Sequence, residues 1–183
     1  MSTPTAPNPA LLIMSIIFSP DTPDELGPSA SYLQALHELQ HSFGPLAGEG
    51  PIARFTQTDY YDREMGTGLL RQFVCFAHLV NREQLALIKL ATNALEKDLS
   101  GDDGRRRVNL DPGLLSVENL VLATGKNFTH RIYLRDGIFA EVTLLFQGGR
   151  FQTLPWTYWD YAAPDVVNLL AAWRQELLRR LRV

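Results

Sequence analysis

The segment Leu11-Leu12-Ile13-Met14-Ser15-Ile16-Ile17-Phe18 limits what this chain can fold into more than any other. It is a short, continuous apolar run with three isoleucines, and it lacks the alternation of a half-exposed strand. Such a run reads as a strand buried at the centre of a sheet. The rest of the chain has to supply its neighbours and the helices that cover it. At 183 residues the chain is long enough to bury one substantial core.

Residues 1–9 are small, polar and Pro-rich; they read as a disordered lead-in to a single domain spanning residues 10–183. Ser19 to Pro28, with three prolines and three acids, is a loop. Ser29 or Ser31 caps the next helix, where Leu33, Leu36, Leu39 and Phe43 recur at helical spacing until Gly44-Pro45 stops it. Gly48 to Pro51 reads as a loop, Ile52 to Thr58 as a strand and Leu70 to Val80 as another. Asn81 and Gln84 have capping-box spacing, and Leu85, Ile88, Ala91, Leu95 and Leu99 form the apolar stripe of a long helix. Gly101 to Gly104 turns the chain into a strand from Arg105 to Leu110. The resulting order, β-α-β-β-α-β, is the ferredoxin-like pattern, an α+β fold with two helices on one face of a sheet.

The second half adds a hairpin with strands Arg131 to Leu134 and Ile138 to Phe146. A two-residue loop, Asp136-Gly137, mixes polar and apolar side chains on each face. A three-residue loop, Arg135-Asp136-Gly137 with Gly137 left-handed, separates them. Ile132, Leu134, Ile138, Ala140, Val142 and Leu144 then share one face, and Arg131, Tyr133, Phe139, Glu141 and Thr143 the other. The three-residue loop is therefore expected. Gly148-Gly149 leads into a further strand, Phe151 to Leu154. Pro164 opens a closing helix with the stripe Val166, Leu170, Trp173, Leu177 and Leu181. Arg179, Arg180 and Arg182 crowd its C-terminus, where the helix dipole favours cations.

Composition narrows the function classes. The formal net charge of −3 creates no global attraction for nucleic acid or an acidic membrane. The single cysteine, Cys75, sits in the apolar run Phe73-Val74-Cys75-Phe76; it cannot form an internal disulfide and reads as a small buried hydrophobe. No apolar stretch approaches the ~18 residues of a membrane span, and the N-terminus lacks the positive region of a signal peptide. The expectation is a cytoplasmic protein that binds neither membrane nor nucleic acid.

Four segments are over-specified for a scaffold. The first runs from Thr58 to Gly66, the second from Arg106 to Gly113. The third spans Ala123 to Lys126, His130 to Leu134 and Asp136 to Thr143; the fourth runs from Leu154 to Tyr161. The strings VNLDPG, HRIYL followed by GI and AEVTL, and LPWTY followed by DY, in this order, resemble the domain-of-unknown-function family 4416. The resemblance covers nearly the whole chain and implies no established reaction. Some members of that family are labelled GTP-binding. A P-loop, however, needs Ser or Thr after Gly-Lys and a glycine five positions earlier. Here Asn127 follows Gly125-Lys126, and position 120 is Leu120.

Within these blocks, Arg131 and Glu141 are expected as cross-strand partners, either an exposed ion pair worth roughly 0.2–1 kcal/mol or part of a polar cleft floor. Tyr133 and Thr143 share their face, and Lys126 and His130 lie just before the strand. Arg107, Asn109 and Asp111 alternate at strand period, a row suited to a phosphate or carboxylate. Asp111-Pro112-Gly113 also reads as a plain turn. Asp59, Asp62 and Glu64 are either solvated loop acids or carboxylates around a cation. Trp156, Tyr158 and Tyr161 either stack on a ligand or plug the core. His37 and His41 are four apart but lack a third ligand at metal spacing, so no metal or cofactor site is identified.

Two functions remain open. One is a small-molecule site for an anionic metabolite or nucleotide, bound by Arg107, Asn109, Lys126, Arg131, Tyr133 and Thr143, with His130, Asp111 and Glu141 as acid/base candidates. The other is a non-catalytic interaction or homodimerisation module. Charged residues of both signs recur inside strand-like blocks, which favours the first.

Overall fold

The computed structural model describes residues 2–22, 26–56, 61–101 and 103–181, with the backbone alone for residues 62 and 63. Strand β1 is Ala10–Phe18, buried along its whole length, as a continuous apolar run requires. Helix α1 (Ala30–Phe43) is capped by Ser29, whose Oγ accepts from the Tyr32 N–H at 3.3 Å. Then come β2 (Leu46–Glu49), β3 (Ala53–Arg54), the single turn α2 (Asp62–Met65) and β4 (Leu70–Val80). A 3₁₀ turn, Arg82–Gln84, leads into α3 (Leu85–Asp98). Five further strands follow before the closing helix: β5 (Val108–Leu115), β6 (Asn119–Thr124), β7 (Ile132–Arg135), β8 (Ile138–Gln147), β9 (Arg150–Thr153) and α4 (Pro164–Leu181). The architecture is α+β: one antiparallel sheet of nine strands, ordered β2-β4-β1-β5-β6-β8-β7, with β3 on β4 and β9 on β8.

The two faces of β1 belong to different cores. Leu12, Met14, Ile16 and Phe18 pack with Tyr32, Ala35 and Leu39 of α1 and with Leu85, Ala86 and Ile88 of α3. Leu11 and Ile13 face the other way, toward Leu170, Trp173 and Leu177 of α4. Among the described residues no helix is long and apolar enough to cross a membrane.

Several local expectations are corrected. The inner face of α1 is Tyr32, Ala35 and Leu39; Leu33 is 53 % exposed. The outer neighbours of β4 are Leu46–Glu49 and the short Ala53–Arg54, so the strand placed at Ile52 to Thr58 begins earlier and is broken; Thr58 lies outside the described residues. Asn81 precedes the 3₁₀ turn and makes no side-chain cap. Asp111-Pro112-Gly113 is not a turn: β5 runs through it, pairing Asp111 with Ser15, Pro112 with Met14 and Gly113 with Ile13. Proline is tolerated because pairing of β5 with β6 starts only at Gly113, so at Pro112 no second ladder requires an N–H. A Cβ on Gly113 would come within 2.6 Å of Leu122 Cδ2, so glycine lets the two strands meet.

The hairpin reaches its pairing by another route. Arg135 pairs with Ile138, leaving a two-residue turn in which Asp136 (φ 49°) and Gly137 (φ 77°) are both left-handed. A bulge between Tyr133 and Arg135 restores the pairs Ile132–Ala140 and Tyr133–Phe139 that a three-residue loop would give. A second irregularity, between the pairs Leu120–Leu144 and Val121–Val142, moves Leu144 to the α4 face, away from Ile138 and Ala140.

Candidate functional site

β5 and β6 pair only at Gly113–Leu122, Leu114–Val121 and Leu115–Leu120. Beyond Gly113 the strands part, and a cavity of about 740 Å³ opens between them. Asn109 and Asp111 line one wall; Ala123, Thr124, Gly125 and Lys126 line the other. Helix α3 contacts β5, β6 and β8. Its side chains complete the exposed edge of β5: Lys89 Nζ donates to the Leu110 carbonyl at 2.7 Å, and Glu96 Oε1 accepts from the Leu110 N–H at 2.7 Å. Two buried charges thus occupy the bonds that a neighbouring strand would otherwise make.

From there a polar chain crosses the cavity floor. Lys89 Nζ lies 3.1 Å from Asp111 Oδ1, and Asn109 Nδ2 donates to Asp111 Oδ2 at 2.6 Å. Arg106 donates to Asn109 Oδ1 (3.0 Å), Glu96 Oε2 (3.2 Å) and Glu64 Oε2 (2.6 Å). Burial alone would push the Asp111 carboxyl up. The Lys89 ammonium, the bonds from Lys89 and Asn109, and the more distant Arg71 outweigh it and hold Asp111 below the usual carboxylate range. Glu96 goes the other way: burial, helped by the Asp111 charge, raises it against the opposing pull of Lys89, the Leu110 N–H and Arg106.

Glu141 of β8 is 2 % exposed and also lines the cavity. Its Oε2 takes two donors, Arg131 Nε at 2.8 Å and His130 Nε2 at 2.9 Å. Its Oε1 is buried and has no hydrogen-bond partner among the described residues. Arg131 also donates to the Lys126 carbonyl (3.0 Å) and the Tyr158 hydroxyl (2.9 Å), tying the 125–131 loop to the aromatic segment. The His130 ring stacks on Trp156, centroids 4.7 Å apart and 9° from parallel.

The aromatic segment is anchored from below. Trp156 Nε1 donates to the Val142 carbonyl at 2.8 Å and Thr157 Oγ1 to the Thr143 carbonyl at 2.6 Å. Asp160 pairs with Arg71, whose guanidinium lies 4.1 Å from the Phe73 ring centroid and 5.0 Å from that of Tyr161. Tyr161 is buried, and burial pushes its hydroxyl pKa up. Tyr158, half-exposed, and Trp159, 84 % exposed, stand on the cavity wall. Trp156 and Tyr161 therefore pack, while Tyr158 and Trp159 remain available to a ligand.

The candidate residues divide cleanly. Asn109, Asp111, Lys126 and Glu141 line the cavity, and His130 and Arg131 hold Glu141. The Arg131–Glu141 pair is buried, not exposed, so removing one partner strands a charge. Three candidates lie elsewhere. β5 starts at Val108, so strand alternation does not extend back to Arg107, which pairs with Asp103 at 3.1 Å beside Gly101; Arg106 takes the inward place. Tyr133 is 59 % exposed and packs edge-on against Phe139. Thr143 is fully buried, its Oγ1 donating to the Glu141 carbonyl.

Arg71, Lys89, Glu96, Arg106 and Asp160 also line the cavity; Arg106 and Asp160 lie in the over-specified segments without an assigned role, and Arg71, Lys89 and Glu96 lie outside them. Lys89, Thr92 and Glu96 continue the Leu85–Ile88 stripe at helical spacing, so charge on an apolar stripe was the available signal. Asp59 lies outside the described residues, as does the Asp62 side chain, and among the described residues no group of three or more His, Cys, Asp or Glu is placed to hold a metal ion.

The sequence profile of the domain of unknown function DUF4416 matches residues 8–177. The chain belongs to that family. Its matched span includes every strand, both walls of the cavity and the aromatic segment. No curated protein and no solved structure matches this DUF4416 member significantly.

Proposed function

We propose that the opening between β5 and β6 binds a small anionic metabolite or nucleotide. The observation that carries this reading is Glu141: a carboxylate on the cavity wall with one oxygen saturated and the other lacking a donor among the described residues. An unsatisfied buried acceptor costs about 1–3 kcal/mol, more when charged, and a ligand donor relieves it. The cavity volume, about 740 Å³, falls within the range of small-molecule sites, roughly 300–1,000 Å³.

In this reading Lys126 and Arg106 attract the anionic group, Asn109 and Asp111 fix its neighbour, and Asp111 and Glu141 are the acid/base candidates, with His130 and Arg131 positioning Glu141. Arg107, Tyr133 and Thr143 make no ligand contact. The order β2-β4-β1-β5, with α1 and α3 on one face, is read as a ferredoxin-like core to which the β6–β9 strands add the second wall. The lone buried Cys75, without a disulfide partner and with its thiol pushed up to about 12 by burial, suits a reducing, cytoplasmic location.

The test is a thermal-shift screen against nucleotides, sugar phosphates and divalent metals, repeated on Asp111→Asn. A ligand at a hundredfold its Kd adds about 2.7 kcal/mol. A shift lost in a folded Asp111→Asn supports the site; no shift with any probe contradicts it. The interaction-module reading rests on a different observation. The edge strand β7 is exposed throughout, with Ile132 at 65 % and nearby Phe128 at 61 %. A concentration-dependent dimer disrupted by Ile132→Lys would favour it.

A further inference from the structure

We infer that the ligand of this cavity presents a hydroxyl to Glu141: a hydroxylated phosphate ester of the sugar-phosphate class, rather than a bare anion, an amine or a bidentate N–H edge. The inference rests on the cavity being a binding site. Glu141 Oε2 already accepts from Arg131 and His130, so only Oε1 remains. A guanidinium or a nucleobase edge with two adjacent N–H groups needs both carboxylate oxygens. One free oxygen satisfies one donor.

Charge separates the remaining donors, hydroxyl and ammonium. The lining carries five carboxylates (Glu64, Glu96, Asp111, Glu141 and Asp160) against four cations (Arg71, Lys89, Arg106 and Lys126), and Arg131 adjoins Glu141 as a fifth. Arg131 already pairs with Glu141, so the donor at Oε1 need bring no charge of its own. Aromatic walls fit the same class. Trp159 offers an open indole face, and a sugar ring has C–H faces that lie flat on such a surface. Lys126 and Arg106 then take the phosphate, Arg106 Nε being a buried donor with no partner among the described residues.

Isothermal titration calorimetry on the full chain with ribose 5-phosphate, pentyl phosphate and putrescine tests this. Ribose 5-phosphate should bind the parent about tenfold or more tighter than pentyl phosphate, as a hydrogen bond to a charged acceptor implies. Glu141→Gln should remove most of that preference, so that the two phosphates bind the folded variant with closely similar affinities. Trp159→Ala, at an exposed position where folding is not at stake, should weaken ribose 5-phosphate about threefold or more. Equal affinity for the two phosphates in the parent overturns the hydroxyl assignment and leaves the binding site standing. A preference that survives Glu141→Gln also overturns it, and means that water serves Oε1. Glu141-dependent binding of putrescine replaces the hydroxyl with an ammonium. No binding of any probe to folded parent overturns both the class and the site.

Discussion

The two ends of β5 are built from opposite solutions to one problem. At Gly113–Leu115 a neighbouring strand completes the backbone, and the side chains join the core: Leu114 and Leu115 are 3 % and 0 % exposed. At Leu110 the neighbour is gone, and Lys89 and Glu96 from α3 bond the same kind of groups. The first solution uses apolar burial and gives a closed sheet. The second brings buried charge, polar neighbours and empty volume. An opening in a sheet is stable here only because a helix supplies the missing hydrogen bonds, and those charged side chains also furnish the cavity.

Substitutions break this contrast in a graded order. Lys89→Ala should be the most severe at the open end, at about 3–5 kcal/mol, since it leaves the Leu110 carbonyl without its donor and Asp111 without its ammonium; chemical denaturation checks it. Leu114→Ala at the closed end should lose about 2–5 kcal/mol by cavity formation, with no effect on ligand binding. Gly113→Ala, where the new methyl meets Leu122, should lose about 1–3 kcal/mol and force the strands apart, read as faster amide exchange at Leu122.

Acid behaviour sharpens the same comparison. Asp111 is depressed when folded, so its stabilisation is present above its unfolded pKa, about 3.9, and is lost as pH falls through the lower folded value. Glu96 is raised, so its contribution has the opposite sign: stability declines as pH climbs from its unfolded value, about 4.3, to the folded one. Melting temperature against pH should therefore lose its acid-side drop in Asp111→Asn and its decline above that range in Glu96→Gln. Smallest of all, Trp159→Ala should change stability by less than about 0.5 kcal/mol while reducing ligand affinity.

Much of the closed end was legible in sequence. The apolar run of β1, the Ser29 cap and the α4 stripe follow from local pattern, and each stands where that pattern puts it. The open end was legible only in part. Asp111-Pro112-Gly113 carries the chemistry of a turn, yet tertiary pairing with β1 holds it extended, and this misreading concealed β6. Asn109, Asp111, Lys126 and Glu141 were within reach because they lie in dense polar blocks. Lys89 and Glu96 had only their place on the apolar stripe of α3 as a signal, and Arg71 on β4 had none until the packing of Asp160 and Tyr161 against it is known. Hairpin register was correct in its pairs and wrong in its device, since a bulge at Leu134 does the work of a longer loop.

The most direct measurement is an amide chemical-shift map of the isotopically labelled chain titrated with ribose 5-phosphate. The account predicts perturbations at Asn109 to Asp111, Thr124 to Lys126, Glu141 and Tyr158 to Asp160, with Gly113 to Leu115 and the β7 edge unmoved. Perturbations confined to β7, or none in a folded protein at saturating ligand, would contradict it.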